Sequence, residues 1–335
     1  MKQVRIHGVG DVRVDEVDEP TAGPRDAVVA VSACGICGSD LTFAKLGPFT
    51  PDGSPMPLGH ELAGTVTEVG GEVARYAVGD RVVVVPGNDE LGRIGCGTGE
   101  GGLAPRLLVK EADVRLYAVP DGIDLVTAAL AEPLAVGMNA ADQADVSAGD
   151  AVAVFGCGPV GLAAIATLAD RGITRLVAID PSAKRRELAL GLGASEAIDP
   201  VDEKVWQRLA ELHGSVPTMM GPTPGTDAFI EATAVGPVVQ EIVANAKPNA
   251  RISVVAVHND DVPISFLLVM MKQLTIRGAM EYPARFENAL ELLARKDLSS
   301  MITHTYPIED FGSALAMLQT SKECGKVLIT MPEPE

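Results

Sequence analysis

The sequence predicts an α/β protein of two domains, one rich in short strands and one a doubly wound parallel sheet. Three observations lead there. The chain has 335 residues, more than one ordinary core needs and enough for two domains of roughly 100 to 200 residues. Its first 120 residues read as short β runs separated by Gly, Pro and acidic turns. From about residue 124 helix-length apolar periodicity alternates with buried β runs, the mark of βαβ units.

In the first part the strands are AVVAVSA (27–33), LAGTVTEV (62–69) and RVVVVP (81–86), as a barrel or sandwich requires. In the second they are AVAVF (151–155), RLVAID (175–180), DAFIEA (227–232), RISVVAV (251–257) and LTIRGA (274–279). Helices are expected between them at about 159–171, 182–192, 203–213 and 235–246. Beyond Gly278 come an amphipathic helix in FENALELLARK, the segment ITHTYPIEDFGSALAMLQ and a last strand, KVLIT. The stretch 213–227, rich in Pro, Gly and Thr, reads as a long exposed loop.

Composition narrows the function classes. Apolar residues make up 47% of the chain, with 35 glycines and 23 prolines, which fits a globular enzyme and not a disordered chain. No apolar run reaches membrane-span length and the polar start has no secretory core, so the expectation is a cytoplasmic protein. Cys34, Cys37, Cys96, Cys157 and Cys324 are odd in number and lack framework spacing, which argues against structural disulfides and leaves thiols available to a metal. A formal charge of −18 opposes binding to nucleic acid or anionic membrane and reads as solubility.

Gly156, Gly158 and Gly161 in AVAVFGCGPVG stand in G-x-G-x-x-G spacing, directly after a β run and before a helix. The first glycine permits the tight turn, the second a close approach of pyrophosphate, the third helix-to-strand packing. Free N–H groups at the helix start, near Pro159 and Val160, add a positive dipole end. Asp180 ends the next strand, where a carboxylate accepts from adenosine ribose hydroxyls and repels a 2′-phosphate. NAD is therefore expected over NADP, although Lys184, Arg185 and Arg186 stand close by. Arg185 and Val257 complete the candidate cofactor contacts. The structural alternative for Asp180, a helix cap, is one that Ser182 can fill instead.

CGICGSD (34–40) and LGHELAG (58–64) supply thiolate, imidazole and carboxylate, a donor set that suits zinc with one position left for water or substrate. Each segment alone has a structural reading, as a buried thiol or a core histidine; a cofactor domain in the same chain favours the metal. Together GICGSD, GHE, VGDRV (78–82), AEPLAV (131–136) and the glycine fingerprint resemble the zinc-containing alcohol dehydrogenases of the medium-chain dehydrogenase/reductase superfamily, nearest their polyol, threonine and butanediol branches. The resemblance covers essentially the whole chain. It implies a GroES-like catalytic domain (1–133 and 279–335) around a Rossmann NAD-binding domain (134–278), and a homodimer or homotetramer acting on a small alcohol or carbonyl.

Carried over by residue, the resemblance implies that Cys37, His60 and Glu132 ligate zinc and that Glu61 can ligate it in some states. Asp40 orients the imidazole, Ser39 hydrogen-bonds the substrate oxygen, and Lys326 lies near the pyrophosphate. Cys34, Cys157 and Cys324 are expected to be structural. This chain also departs from the pattern. Where many relatives hold a second, structural zinc with four cysteines, residues 86–102 contain Cys96 alone, so one catalytic zinc and a glycine-rich lobe are expected. Thr42 stands where animal-type alcohol dehydrogenases have a histidine in the proton relay. Glu281 precedes Tyr282 where sorbitol dehydrogenases have an arginine, which favours a less hydroxylated secondary alcohol, diol or hydroxyketone over a polyol or sugar. A zinc-free quinone or enoyl reductase of the same superfamily and a non-catalytic NAD-binding protein are the alternatives.

Overall fold

In chain order the computed structural model, which describes residues 1–87, 91–97, 99–321 and 323–332, opens with strands β1 (Lys2–Gly8), β2 (Asp11–Glu16) and β3 (Ala27–Gly35) and helix α1 (Gly38–Leu46). Then come β4 (Met56–Pro57), β5 (Glu61–Val69), β6 (Arg81–Val84), β7 (Arg106–Val109), α2 (Ala112–Arg115), β8 (Leu116–Ala118), α3 (Leu125–Ala128) and α4 (Ala131–Gln143). The alternating part follows: β9 (Ala151–Phe155), α5 (Pro159–Asp170), β10 (Arg175–Ile179), α6 (Ala183–Gly191), β11 (Glu196–Ile198) and α7 (Val205–His213). It continues with β12 (Ser215–Val216), β13 (Thr223–Pro224), β14 (Ala228–Glu231), α8 (Gly236–Asn245), β15 (Arg251–Val254), α9 (Phe266–Lys272) and β16 (Thr275–Gly278). Helix α10 (Glu287–Arg295), β17 (Ile302–Pro307), α11 (Phe311–Thr320) and β18 (Lys326–Thr330) close the chain.

Two compact units result. The first holds Met1–Glu132 and the stretches that begin at Leu293 and at Lys326; the second holds Pro133–Leu292 with Glu323–Gly325. In the first unit a sheet runs β17-β18-β3-β5-β6-β8, with β7 also on β3, beside a small sheet β2-β1-β4. Its centre is β3, AVVAVSACG, buried along its length except for a half-buried Ser32. The β3–β5 ladder shifts register between Val28 and Val29 and again between Val31 and Ala33, and such irregularities increase local twist and bend a strand. The same ladder sets Gly35 opposite Glu61, while β18 sets Leu328 opposite Gly35. Three distant segments thereby converge at one strand end.

The second unit is the doubly wound sheet, in the order β11-β10-β9-β14-β15-β16, every pairing parallel. AVAVF at its centre is entirely buried, as a strand covered on both faces must be. Phe155 and Phe229 pack with Trp206, with ring centroids 5.6 and 6.3 Å from the indole. Helix α5 is buried from Gly161 to Leu168, which its run of small and apolar residues allows.

Element ends depart from the sequence reading for local reasons. RISVVAV stops being strand at Val254 because the Val255 and Ala256 amides both turn to the Glu231 carbonyl. The expected loop 213–227 contains a short hairpin, β12 with β13, and its tip exposes Met219 and Met220. Helix α9 has no counterpart in the sequence reading. By contacts the chain returns to the first unit at Leu293, later than the Ala279 expected, because Asn139 of α4 donates to the Met280 carbonyl at 2.8 Å and holds the intervening stretch.

Candidate metal and nucleotide sites

The metal-ligand candidates sit in the first unit, each placed by a backbone feature. Cys37 precedes α1, and its amide donates to Asp40 Oδ2 at 2.8 Å, fixing the first turn. His60 precedes β5 and follows Gly59, whose φ is +96° and where a Cβ would meet Leu103 N at 2.5 Å and Cys34 Sγ at 2.9 Å. Glu61 begins β5, with Gly35 opposite it; a Cβ on Gly35 would collide with Glu61 Oε2.

Among the described residues, Cys37, His60 and Glu61 form a group whose ligand atoms all lie within 4.8 Å of one another. Glu132, buried at the start of α4, is outside that group but contributes its negative charge to His60. Asp40, 1% exposed, directs Oδ1 at His60 Nδ1 from 3.7 Å, too far for a hydrogen bond, and neither atom has another hydrogen-bond partner. Burial disfavours the His60 imidazolium, yet Asp40, Cys37 and Glu132 carry its pKa well above the ordinary histidine value. The acids and the thiol around His60 favour positive charge on its ring. The sulfur of Cys37, the imidazole of His60 and the carboxylate of Glu61 are donors that fit zinc.

Lys326 lies inside the first unit. Expected near a pyrophosphate, it is 1% exposed, ion-paired with Glu61 and donating to the Ile36 carbonyl at 3.0 Å. Burial lowers its pKa, but Glu61 and Cys37 outweigh that and raise it above the ordinary lysine value. It balances the Glu61 charge inside the first unit. Ser39 lies half-buried in the first turn of α1. Thr42 donates its hydroxyl to the Gly38 carbonyl at 3.3 Å, so a relay through it requires that hydroxyl to rotate. Burial pushes the Cys34 thiol well above its ordinary pKa. Of 86–102, the expected glycine-rich lobe, residues 88–90 and 98 lie outside the described residues; Arg115 reaches into the remainder, donating to the Pro86, Leu91 and Gly92 carbonyls.

The nucleotide candidates sit in the second unit at the C-terminal ends of its strands, where open parallel sheets bind ligands. Gly156 has φ +91° and a Cβ there would meet Ala232 O at 2.7 Å; on Gly161 it would meet Gly156 O at 1.9 Å. Nothing lies within 4 Å of the position a Gly158 Cβ would take, leaving open the approach to the start of α5, where Pro159 and Val160 stand. Asp180, 4% exposed, accepts from the Cys157 amide at 2.7 Å and the Ser182 amide at 2.8 Å. Each carboxylate oxygen keeps a lone pair for a ribose hydroxyl. Val257 is exposed. Arg185 Nε is engaged with the Cys324 carbonyl at 2.8 Å.

Two residues that the sequence reading missed act here. Glu231 ends β14 with no exposure; it accepts from the Thr233 and Ala234 amides and from His258 at 2.9 Å, tying together the turns after β14 and β15. An acid closing an otherwise apolar strand, DAFIEA, was the available signal. Glu323 reaches the start of α6, and no local pattern marks it.

A ligand cluster on a GroES-like sheet and a glycine-turn nucleotide fold define a two-unit metal-type dehydrogenase. Residues 23–121 match the alcohol dehydrogenase GroES-like domain and 159–295 the zinc-binding dehydrogenase domain, and the chain belongs to the zinc-type alcohol and polyol dehydrogenases of the medium-chain dehydrogenase/reductase superfamily. It is 30% identical to (R,R)-butanediol dehydrogenase of Bacillus subtilis over 334 residues, 92% of this chain and 93% of that one. The crystal structure of the Bacillus subtilis 2R,3R-butanediol dehydrogenase superposes with a TM-score of 0.88 at 30% identity, covering 100% of this chain and 99% of that one. Mouse (Mus musculus) sorbitol dehydrogenase is 32% identical over 339 residues, 95% of this chain and 92% of that one. A zinc-binding dehydrogenase from Sinorhizobium meliloti bound to NADP superposes at 0.85, with 28% identity and 98% coverage of both chains. The chain is thus a dehydrogenase, working between alcohols and carbonyls. No helix among its described residues is long and apolar enough to cross a membrane.

Proposed function

We propose that this chain is an NAD-dependent, single-zinc dehydrogenase of a secondary alcohol, diol or hydroxyketone. The observation that carries the reading is the cluster of Cys37, His60 and Glu61 within 4.8 Å, under a field that favours a cation. Cys37, His60 and Glu132 would hold zinc, with Glu61 exchanging against Lys326. When bound, zinc supplies a Lewis acid that acidifies the alcohol, and the nicotinamide supplies the hydride acceptor.

The protein's own contribution is positional. Asp40 faces Nδ1 of His60 from 3.7 Å, and closing that gap to a hydrogen bond would fix the tautomer that leaves the other ring nitrogen for the metal. Ser39 takes the proton from the substrate hydroxyl and passes it toward solvent, by way of Thr42 once that hydroxyl rotates. The turn at Gly156, the open approach at Gly158 and the start of α5 hold the pyrophosphate, while Asp180 holds the adenosine ribose and favours NAD. Functional domains of 1–133 with 279–335 and of 134–278 follow the same reading.

The exposed edge strand β16, beside exposed Phe266, Leu267 and Met270 of α9, supports a homodimer or homotetramer associating through that edge. A cytoplasmic enzyme belongs to the same reading, supported by the acidity of the chain. The test measures zinc content alongside a screen of secondary alcohols, diols, sugars and hydroxy acids with NAD and NADP. About one zinc per chain and NAD reduction with a small diol or secondary alcohol are expected. Loss of zinc from Cys37→Ala and Glu132→Gln would support the ligand set; full zinc content in both would overturn it. Preference for a hexitol would favour the polyol alternative.

A further inference from the structure

The segment after Asp180, PSAKRREL, carries three cations and a cap hydroxyl beside the ribose-binding end of β10, a composition that would serve a 2′-phosphate. In the folded unit each of these groups is already engaged. Lys184 pairs with Glu187 at 3.0 Å, and Arg186 pairs with Asp199 at 2.9 Å while donating to the Asp180 carbonyl at 2.7 Å. Arg185 donates to the Cys324 carbonyl. The start of α6 itself, a helix of nine residues, is met by a carboxylate from far along the chain. Glu323 Oε2 accepts from Ser182 Oγ at 3.0 Å and from the Lys184 amide at 3.1 Å. Glu323–Gly325 groups with the nucleotide unit although the chain on both sides belongs to the first.

We infer that Glu323 is a specificity-determining residue of the nucleotide site, occupying the α6 donors that a ribose 2′-phosphate needs and repelling that phosphate by like charge. The inference rests on the nucleotide reading above and deepens it. A carboxylate is the natural occupant of a helix N-terminus. Seated there, it satisfies the amide and the cap hydroxyl that would otherwise attract the phosphate. Asp180 adds a second negative charge on the ribose side, so the two acids together convert a cationic sequence into a phosphate-rejecting surface.

The experiment titrates the full-length wild type and Glu323→Gln with ADP-ribose and with 2′-phospho-ADP-ribose by calorimetry. The wild type is expected to prefer ADP-ribose. In Glu323→Gln the affinity ratio shifts toward the 2′-phosphate by about tenfold, the scale of one unscreened charge near a protein surface. Adding Ser182→Ala to that variant removes most of the gain, because the freed hydroxyl is the donor the phosphate uses. An unmoved ratio would overturn the inference, as would equal weakening of both ligands, which marks a purely structural role. If the wild type binds neither ligand, the nucleotide reading fails first and this one with it; if it binds ADP-ribose and the ratio stays put, only the role of Glu323 fails.

Discussion

Gly59 holds His60 in position by lacking a side chain. At φ +96°, with Leu103 N only 2.5 Å from the place a Cβ would occupy, alanine is both strained and obstructed. Gly59→Ala should cost about 2 to 3 kcal/mol and shift the imidazole; the paired measurement is a urea midpoint and zinc content, both expected to fall. Lys326 tests the same cluster from its cationic side. Lys326→Met leaves the buried Glu61 carboxylate without its partner, a change that costs about 3 to 5 kcal/mol in such pairs. The loss should be largest in chelator-treated protein and smaller with zinc present, since a metal offers Glu61 another positive charge. Equal losses in the two states would contradict the proposed exchange of Glu61 between Lys326 and metal. At this scale the convergence of Cys37 and His60 was legible because metal chemistry demands particular atoms. Glu323 was not, since it meets Ser182 across 141 positions of sequence, and neither was the burial of Lys326, which a lysine's motif position does not reveal.

Arg115 shows how one side chain can hold a loop. It ends α2, is 4% exposed, and donates to the Pro86, Leu91 and Gly92 carbonyls. Gly87, at φ +107°, makes room: a Cβ there would meet Arg115 Nη2 at 2.8 Å. Arg115→Met keeps the apolar stem but strands three carbonyls, so a loss of about 3 kcal/mol and faster proteolysis within 86–102 are expected. Unchanged unfolding and cleavage would mean that the lobe is held otherwise. The absence of cysteine spacing in this lobe was readable; its arginine clasp was not, because carbonyl partners carry no sequence signature. Strand identity was equally readable from apolar runs such as AVAVF. Strand ends were not: β15 stops at Val254 because the next two amides bond to Glu231 of a neighbouring strand. Helix α9 escaped the periodicity argument because Phe266, Leu267 and Met270 face outward, which inverts the pattern expected of a monomer's surface.

At the scale of the whole molecule, two units were legible as a change of texture near residue 124, because parallel and antiparallel sheets demand different spacing between strands, while their interleaving along the chain left no mark in the pattern. The stability of the doubly wound unit should carry a pH signature of one residue. His213 ends α7, is 6% exposed, and holds Thr226 Oγ1 at 2.8 Å through Nδ1. Burial, reinforced by the Arg175 cation, lowers its pKa to about 4 from 6.5. Above pH 6.5 the ring is neutral in both folded and unfolded chains, and its contribution to stability is fully present. Between 6.5 and 4 the unfolded chain takes up the proton and the folded one does not, so stability falls with pH; below 4 both are protonated and the loss stops. The linkage amounts to about 3 kcal/mol, reduced to about 2 for residual solvent access. Urea midpoints from pH 7 to 4 should therefore fall more steeply in the wild type than in His213→Gln, with the two curves parallel above pH 7. Carboxylates titrating in the same window affect both proteins alike, so only the difference between the curves reports the histidine, and curves that stay parallel down to pH 4 would mean that the folded and unfolded chains protonate the ring alike.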